Sequence, residues 1–94
     1  MRLTSEQADT IAENIRRHLG RNARIWLFGS RLDDSRKGGD LDLYVETDPH
    51  PLYSELRCKI ELEEILDIPV DLIVREFEDN TPIGSIAKNE GLSL

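Results

Sequence analysis

The sequence predicts a small α/β domain in which a mixed sheet of three or four strands is flanked by helices. Two observations lead to this fold class. Apolar residues recur at helical spacing in some segments and alternate or cluster in short runs in others, and the two kinds of segment follow each other along the chain. The 94 residues suffice for one compact domain, residues 1–94, with one core. Alternation favours parallel strands only as a tendency, so we expect a mixed sheet.

The first helix and the first strand have clear boundaries in the sequence. Thr4 and Gln7 have the spacing of a capping box, and apolar residues then recur at helical spacing until Gly20 stops the run. The short, mostly apolar run over residues 24–28 is typical of a strand that is buried on both faces and ends before Gly29.

A polar segment and a second strand follow. Residues 30–39 contain acidic and hydroxyl side chains and a glycine pair, which predicts a short helix or turn and then a flexible loop. In residues 41–46 apolar side chains alternate with Asp42, Tyr44 and Glu46. This pattern predicts a strand with two unlike faces.

The second half of the chain predicts one more strand between two helices. We expect a helix over residues 52–66 and a strand over residues 70–74, in which Asp71 points away from the alternate valine and leucine side chains. Thr81 as the cap and Pro82 at the first helical position then begin a last helix.

The helix over residues 52–66 carries more apolar surface than one buried stripe requires. Its apolar residues form two groups, with Tyr53, Leu56 and Ile60 on one side and Leu62, Ile65 and Leu66 on another. Two interpretations are open. The helix is wedged between the sheet and a neighbouring helix, or one of the groups forms a surface that docks a partner protein.

Composition and charge limit the classes of function. With 38% hydrophobic and 33% charged residues the chain resembles globular proteins, and no apolar run approaches the roughly 20 residues that cross a bilayer. The N-terminal residues lack the apolar core of a secretion signal, so the cytoplasm is the expected location. A net charge of −7 repels a nucleic-acid backbone, so we expect no stable nucleic-acid binding by the chain alone, and a phosphate ligand needs a mediating cation. The single cysteine, Cys58, is interpreted as a packing residue.

The residues that carry chemistry surround the polar segment. Gly29 ends a predicted strand without a side chain to obstruct a ligand, and Ser30 adds a hydroxyl and an amide at a predicted helix N-terminus, which are phosphate-binding groups. Arg31 either contacts a phosphate or pairs with a neighbouring aspartate. Asp40 and Asp42 project from the same face of the second strand, about 7 Å apart by the rise per residue.

Asp71 is expected to join Asp40 and Asp42 from the third strand. Its apolar neighbours indicate a core strand, in which a carboxylate without a ligand would be costly. Like charges about 4 Å apart repel by roughly 4 kcal/mol at an effective dielectric constant of about 20, so three clustered carboxylates need a cation. Hard oxygen ligands suit Mg²⁺, which takes further ligands from water and a triphosphate. In this scheme Asp40 and Asp42 hold the metal, and Asp71 is a third ligand or the base.

The ordered set of Gly29-Ser30, Asp40-Leu41-Asp42 and the later Asp71 resembles the polymerase-beta nucleotidyltransferase superfamily, and within it the minimal nucleotidyltransferase family. The resemblance covers nearly the whole chain and implies the fold of that superfamily. It also implies an enzyme that transfers AMP from ATP, with Mg²⁺, onto another molecule. Many such proteins are antitoxins encoded beside a HEPN-domain toxin, an RNase, and some transfer AMP to a toxin tyrosine. The partner implied is therefore a HEPN-domain toxin in a hetero-oligomer.

The sequence departs from the commonest form of the family between the two motifs. Asp33 and Asp34 stand where a second arginine and a glycine often occur, Gly39 replaces a frequent serine, and the segment is shorter than usual. These differences affect contacts to the nucleotide more than the metal ligands.

Several alternatives stay open. Glu76 and Glu78 lie close enough downstream to replace Asp71 as the third carboxylate. Besides a transferase acting on a protein, the chain fits a non-catalytic module that neutralises its partner by docking. It also fits a transferase acting on a small molecule, for which 94 residues leave little acceptor pocket. Tyr44 is interpreted as a packed aromatic side chain rather than one that stacks on a base.

Overall fold

The computed structural model describes residues 3–28 and 41–94. In these ranges it contains three helices and four strands. In chain order they are α1 (Ser5–Leu19), β1 (Arg24–Phe28), β2 (Leu41–Thr47), α2 (Leu52–Leu66), β3 (Val70–Glu76), α3 (Pro82–Glu90) and β4 (Leu92–Ser93). The short helix or turn predicted within residues 30–39 lies outside the described residues.

Most of the predicted boundaries are confirmed. The bounds of β1 and α2 coincide with the predictions, whereas β2 extends to Thr47 and β3 to Glu76. Thr4 and Gln7 form the reciprocal hydrogen bonds of the capping box at the start of α1. The sequence did not locate β4, but this short strand brings the sheet to four strands, within the predicted range.

The sheet is mixed, as predicted, with the strand order β3-β2-β1-β4. β1 pairs antiparallel with both β2 and β4, and β2 pairs parallel with β3. A parallel pair needs a crossover connection, and α2 supplies it. β3 is therefore an edge strand of the sheet.

Helices α1 and α2 cover one face of the sheet and form the core with it. The strand side chains on this face are apolar and buried: Ile25, Leu27, Leu41, Leu43, Val45, Val70 and Val74. They pack with Ile11 and Ile15 of α1 and with Cys58 and Leu62 of α2. Each fully buried Ile or Leu side chain stabilises the fold by about 1.5–3 kcal/mol.

Polar contacts fix α1 against α2 at the border of this core. Glu61 of α2 accepts a hydrogen bond of 2.6 Å from Nδ2 of the buried Asn14 and also contacts Arg17 and His18. Cys58 donates its S–H to Oδ1 of Asn14 at 3.4 Å. The interpretation of Cys58 as a packing residue is thus confirmed.

The opposite face of the sheet carries α3. Tyr44 and Glu46 of β2 are only 0% and 1% exposed, so β2 is buried on this face too. The ring of Tyr44 lies 5.8 Å from that of Trp26, and its hydroxyl lies 2.9 Å from Oδ2 of Asp79. Tyr44 is thus a packed aromatic side chain, as predicted. The expectation that β1 is buried on both faces is wrong on this side, where Trp26 and Phe28 are half-buried.

One side of α2 remains uncovered. Tyr53, Leu56 and Ile60 are 63%, 58% and 47% exposed, whereas Leu62 is fully buried. The interpretation in which both apolar groups of α2 are covered is therefore wrong. One of the two groups forms an exposed apolar surface. No helix in the two described ranges is long and apolar enough to cross a membrane.

Candidate active site

Asp42 and Asp71 are register partners on the adjacent parallel strands β2 and β3. Register partners project from the same face of a sheet, and neighbouring strands are about 4.8 Å apart. The next pair along, Leu43 and Leu72, projects towards the helices α1 and α2. Both aspartates therefore project from the other face, and the structure brings together two of the three predicted carboxylates.

The end of β1 also lies at this position. Because β1 and β2 are antiparallel, β1 ends where β2 begins, and Phe28 is the register partner of Asp42. In the sequence Phe28 directly precedes the Gly-Ser motif. The other predicted site residues lie outside the described residues, and their roles stay predictions: Gly29, Ser30, Arg31 and Asp40.

The two aspartates differ in their exposure. Asp42 is half-buried, and Asp71 is exposed. The expectation that Asp71 lies inside a core strand is wrong, because β3 is an edge strand and only its alternate residues, such as Val70 and Val74, are buried. The cost of desolvation is thus no reason to expect a ligand at Asp71. What supports one is the neighbouring carboxylate, since two carboxylate groups on adjacent strands offer oxygen donors to the same cation.

The two alternative third carboxylates lie elsewhere. Glu76 is the register partner of Thr47 and projects from the face opposite to Asp71, because side chains alternate along a strand. Glu78 follows β3, and its carboxylate is 3.8 Å from Arg24. Arg24 pairs with the end of β2 that is remote from Asp42. Of the three candidates, Asp71 is the one next to Asp42.

Sequence reasoning missed a buried ion pair on the same face. Nζ of Lys88 in α3 lies 2.7 Å from Oε2 of Glu46, and the backbone amides of Glu78 and Asp79 donate to the same carboxylate. Burial by itself raises the pKa of Glu46, but the hydrogen bonds from Lys88 and Tyr44 and the amide of Glu78 outweigh it and hold the pKa below its usual value. Alternation placed Glu46 on the polar face of β2, but nothing in the sequence connected it with a lysine so far along the chain.

The described residues give two oxygen donors for a cation rather than a full ligand set. Among residues 3–28 and 41–94, no three His, Cys, Asp or Glu side chains are grouped so that they hold a metal ion. Asp42 and Asp71 supply two carboxylates, and Asp40 lies outside these ranges. Carboxylate oxygens are the donors that hard divalent cations prefer, and Mg²⁺ usually binds one or two protein carboxylates together with water and phosphate. The donor set therefore fits a divalent cation.

The described residues thus form an α/β domain with a mixed sheet. Two aspartates lie side by side on adjacent strands of this sheet, and their oxygens are donors of the kind that divalent cations prefer. The family model described as "Nucleotidyltransferase domain" matches residues 8–94, and the chain belongs to this family. A comparison with curated proteins gives no match to the chain. The family confirms the predicted fold and supports nucleotidyl transfer as the general activity.

Proposed function

We propose that the protein transfers AMP from ATP, with Mg²⁺, onto a partner protein, and that this partner is a HEPN-domain toxin that the protein neutralises. The observation that carries the proposal is the register pair of Asp42 and Asp71 on one face of the sheet, in a chain of the nucleotidyltransferase family. The choice of ATP, of Mg²⁺ and of a toxin as acceptor rests on the resemblance of the motifs to minimal nucleotidyltransferases.

Each site residue has a role in this scheme. Asp42 and Asp40 hold the cation, and Gly29 and Ser30, for which the sequence predicts a strand end and a helix start, hold the distal phosphates. Arg31 contacts a phosphate. When bound, Mg²⁺ supplies positive charge that offsets the carboxylates and the triphosphate.

Asp71 fits the role of base because its exposed side chain projects from the same face of the sheet as Asp42, where a protein acceptor can reach it. In the transfer, an acceptor hydroxyl oxygen forms a bond to the α-phosphorus, and the bond to the pyrophosphate oxygen breaks. The hydroxyl proton passes to the Asp71 carboxylate. The products are the nucleotidylated protein and pyrophosphate.

The test is transfer of label to a HEPN-domain protein from the same source, the class of partner that the resemblance implies. We expect label from ATP labelled at the α-phosphate and none from ATP labelled at the γ-phosphate. Asp42→Asn should lower the labelling about 100-fold or more, because it removes a metal ligand. The matched control is Asp48→Asn, at an exposed aspartate beyond the end of β2, which should leave labelling unchanged. Undiminished labelling in Asp42→Asn would contradict the proposal, as would label that appears only on a small molecule.

A second candidate function is neutralisation by docking without catalysis. It is favoured by the exposed apolar side chains of α2, with Tyr53 63% and Ile60 47% exposed. Inhibition of the toxin that survives Asp42→Asn but is lost in Ile60→Asp would favour docking. Leu62 is unsuitable for this test because it is fully buried, and a charge there would disrupt the core.

A further inference from the structure

We propose that two copies of this chain associate through the outer edges of their β3 strands, so that Arg75 of each copy lies beside Asp71 of the other. β3 stands at one end of the strand order, and in the part of the chain that the structure describes no strand pairs with its outer edge. Its seven residues, Val70–Glu76, form a long edge, and such an edge is a template for pairing with another chain. The two sheets of four strands would then be continuous.

Charge complementarity selects a second copy as the occupant of this edge. When two β3 strands pair antiparallel about a twofold axis at Ile73, Asp71 of one copy faces Arg75 of the other, twice over. Both side chains are exposed and project from the same face of the sheet. Within one copy Nη1 of Arg75 donates to the carbonyl of Val74 at 3.0 Å, so the guanidinium would turn from this contact towards Asp71 of the other copy. The edge therefore carries a self-complementary pattern of one negative and one positive charge around a central isoleucine.

Registers shifted by one or two residues do not give the same arrangement of the ion pairs between Asp71 and Arg75. A shift by two residues puts Asp71 opposite Ile73 in one direction and beyond the strand in the other, so both ion pairs are lost. A shift by one residue turns the helical layer of the second copy to the opposite face of the sheet. In the register centred on Ile73, Leu72 faces Val74 of the second copy on the helix-covered face, which adds apolar contacts.

An apolar groove beside β3 extends the contact beyond the strands. It is lined by Leu52, Glu55, Leu56 and Lys59 of α2 and by Leu72 of β3. Its leucines at 52 and 56 are 78% and 58% exposed. A stable interface buries about 1,000 Å² or more, which one pair of strand edges does not supply. The groove lies next to the twofold axis, so the α2 helices of two copies would cover each other's leucines there.

The overall charge opposes association only weakly. Each copy carries a net charge of −7. At physiological ionic strength the Debye length is about 8 Å, so charges spread over two separate surfaces are largely screened, whereas the facing pairs at the edge are in contact. The local pattern of opposite charges therefore decides the preferred orientation.

The dimer would add a cation to the carboxylate pair, a consequence that rests on the proposed function. Arg75 of the second copy would lie beside Asp71, the register partner of Asp42. There it offsets the negative charge of both carboxylates and of a triphosphate. The acidic site of each copy would thus be completed by a residue of the other.

The experiment measures the mass of the full chain in solution over a range of concentrations by light scattering and sedimentation. We expect a dimer whose dissociation constant rises about tenfold or more in Asp71→Arg or in Arg75→Asp, because each change makes both facing pairs like-charged. The control is Arg21→Asp, an exposed charge that pairs with Glu13 on α1, and it should not alter the mass. Thermal melting of each variant checks that it folds.

Mixing the two charge-reversed variants gives the sharpest result. Both pairs in the mixed dimer are again opposite in sign, so two variants that are monomeric alone should form a heterodimer with wild-type affinity. Leu56→Asp should weaken every form of the dimer. A wild type that stays monomeric overturns the proposal, and so does a dimer that neither reversal weakens or a mixture that does not associate. These outcomes need no nucleotide, so they are independent of whether AMP transfer occurs.

Discussion

Nζ of Lys88 lies 2.7 Å from Oε2 of Glu46, whose side chain is only 1% exposed. The pair joins α3 to β2 on the face of the sheet from which Asp42 projects. A buried carboxylate is costly unless a partner compensates its charge, and Lys88 is that partner. The ion pair therefore holds α3 over the sheet. Its carboxylate belongs to β2, the strand that also carries Asp42 of the candidate site.

Lys88→Met should lower the free energy of unfolding by about 3 kcal/mol at neutral pH, because it leaves the Glu46 charge buried without its cation. The control is Lys59→Met, whose partner Glu63 is partly exposed, and it should cost less than about 1 kcal/mol. Urea denaturation measures both. A loss for Lys88→Met no larger than that of the control would show that the pair does not hold α3.

The same pair predicts a dependence on pH. The folded pKa of Glu46 lies below its usual value, so its contribution to stability is present above about pH 4.3 and is lost as the pH falls through the folded pKa. In Lys88→Met the lysine no longer offsets the charge of the buried Glu46. Protonation of Glu46 in acid removes this charge and so stabilises the variant. The difference in stability between wild type and variant should therefore shrink in acid. A difference that is constant between pH 7 and about pH 3.5 would contradict this assignment.

Gly84→Ala should destabilise the protein by about 1–3 kcal/mol, although alanine favours helix formation. A Cβ at Gly84 would lie 2.6 Å from the hydroxyl oxygen of Tyr44 and 2.6 Å from Oδ2 of Asp79, closer than such atoms approach. Ser85→Ala, at an exposed position of the same helix, should be neutral or stabilising. Thermal unfolding compares the two. Equal stability of both variants would mean that α3 does not sit this closely on Tyr44.

The contribution of His50 to stability should also depend on pH, with a sign opposite to that of Glu46. Burial by itself lowers the pKa of His50, but its hydrogen bonds to the carbonyl of Asp48 and to Glu55 outweigh it and raise the pKa above its usual value. The contribution to stability is complete below about pH 6.5 and is lost as the pH rises through the folded pKa. Glu55→Gln should lower the pKa of His50, measured by NMR titration of the imidazole. An unchanged titration would exclude the 2.6 Å contact between His50 and Glu55.

Cys58 should react with thiol reagents only when the protein unfolds. The side chain is fully buried, and burial raises the pKa of its thiol to about 12, so the reactive thiolate is scarce and shielded. The rate of modification should rise steeply across the urea transition. Modification of the native protein at the rate of a free thiol would show that the contact between α1 and α2 opens readily.

How far the sequence predicts this molecule differs from element to element. The bounds of β1 and α2 followed from apolar runs between clear stop signals, and the α1 cap followed from Thr4 and Gln7. Such boundaries can be predicted because they depend on residues that are close together in the sequence. The antiparallel pairing of β1 with β4 joins segments far apart in the chain, and β4 is too short to show a period.

The candidate site was predictable in part for the same reason. Alternation along β2 and β3 gave the faces of Asp42 and Asp71, and the parallel register then placed the two side by side. Their exposure was not predictable, because it depends on which strand lies at the edge of the sheet and on where α3 packs. Glu46 is buried and paired with Lys88, and no local sequence pattern indicates a contact between residues so distant in the chain.

Titration calorimetry with ATP tests whether Asp42 and Asp71 belong to one site for a metal-bound nucleotide, as we propose. We expect the wild type to bind ATP in the presence of Mg²⁺ and not without it. The Asp42→Asn variant should bind ATP equally weakly with and without Mg²⁺. Because the two carboxylates are register partners, the effects of Asp42→Asn and Asp71→Asn should not add in the double variant. The proposed site would be ruled out if the wild type took up no ATP with Mg²⁺, or if the Asp42→Asn variant bound ATP as tightly as the wild type.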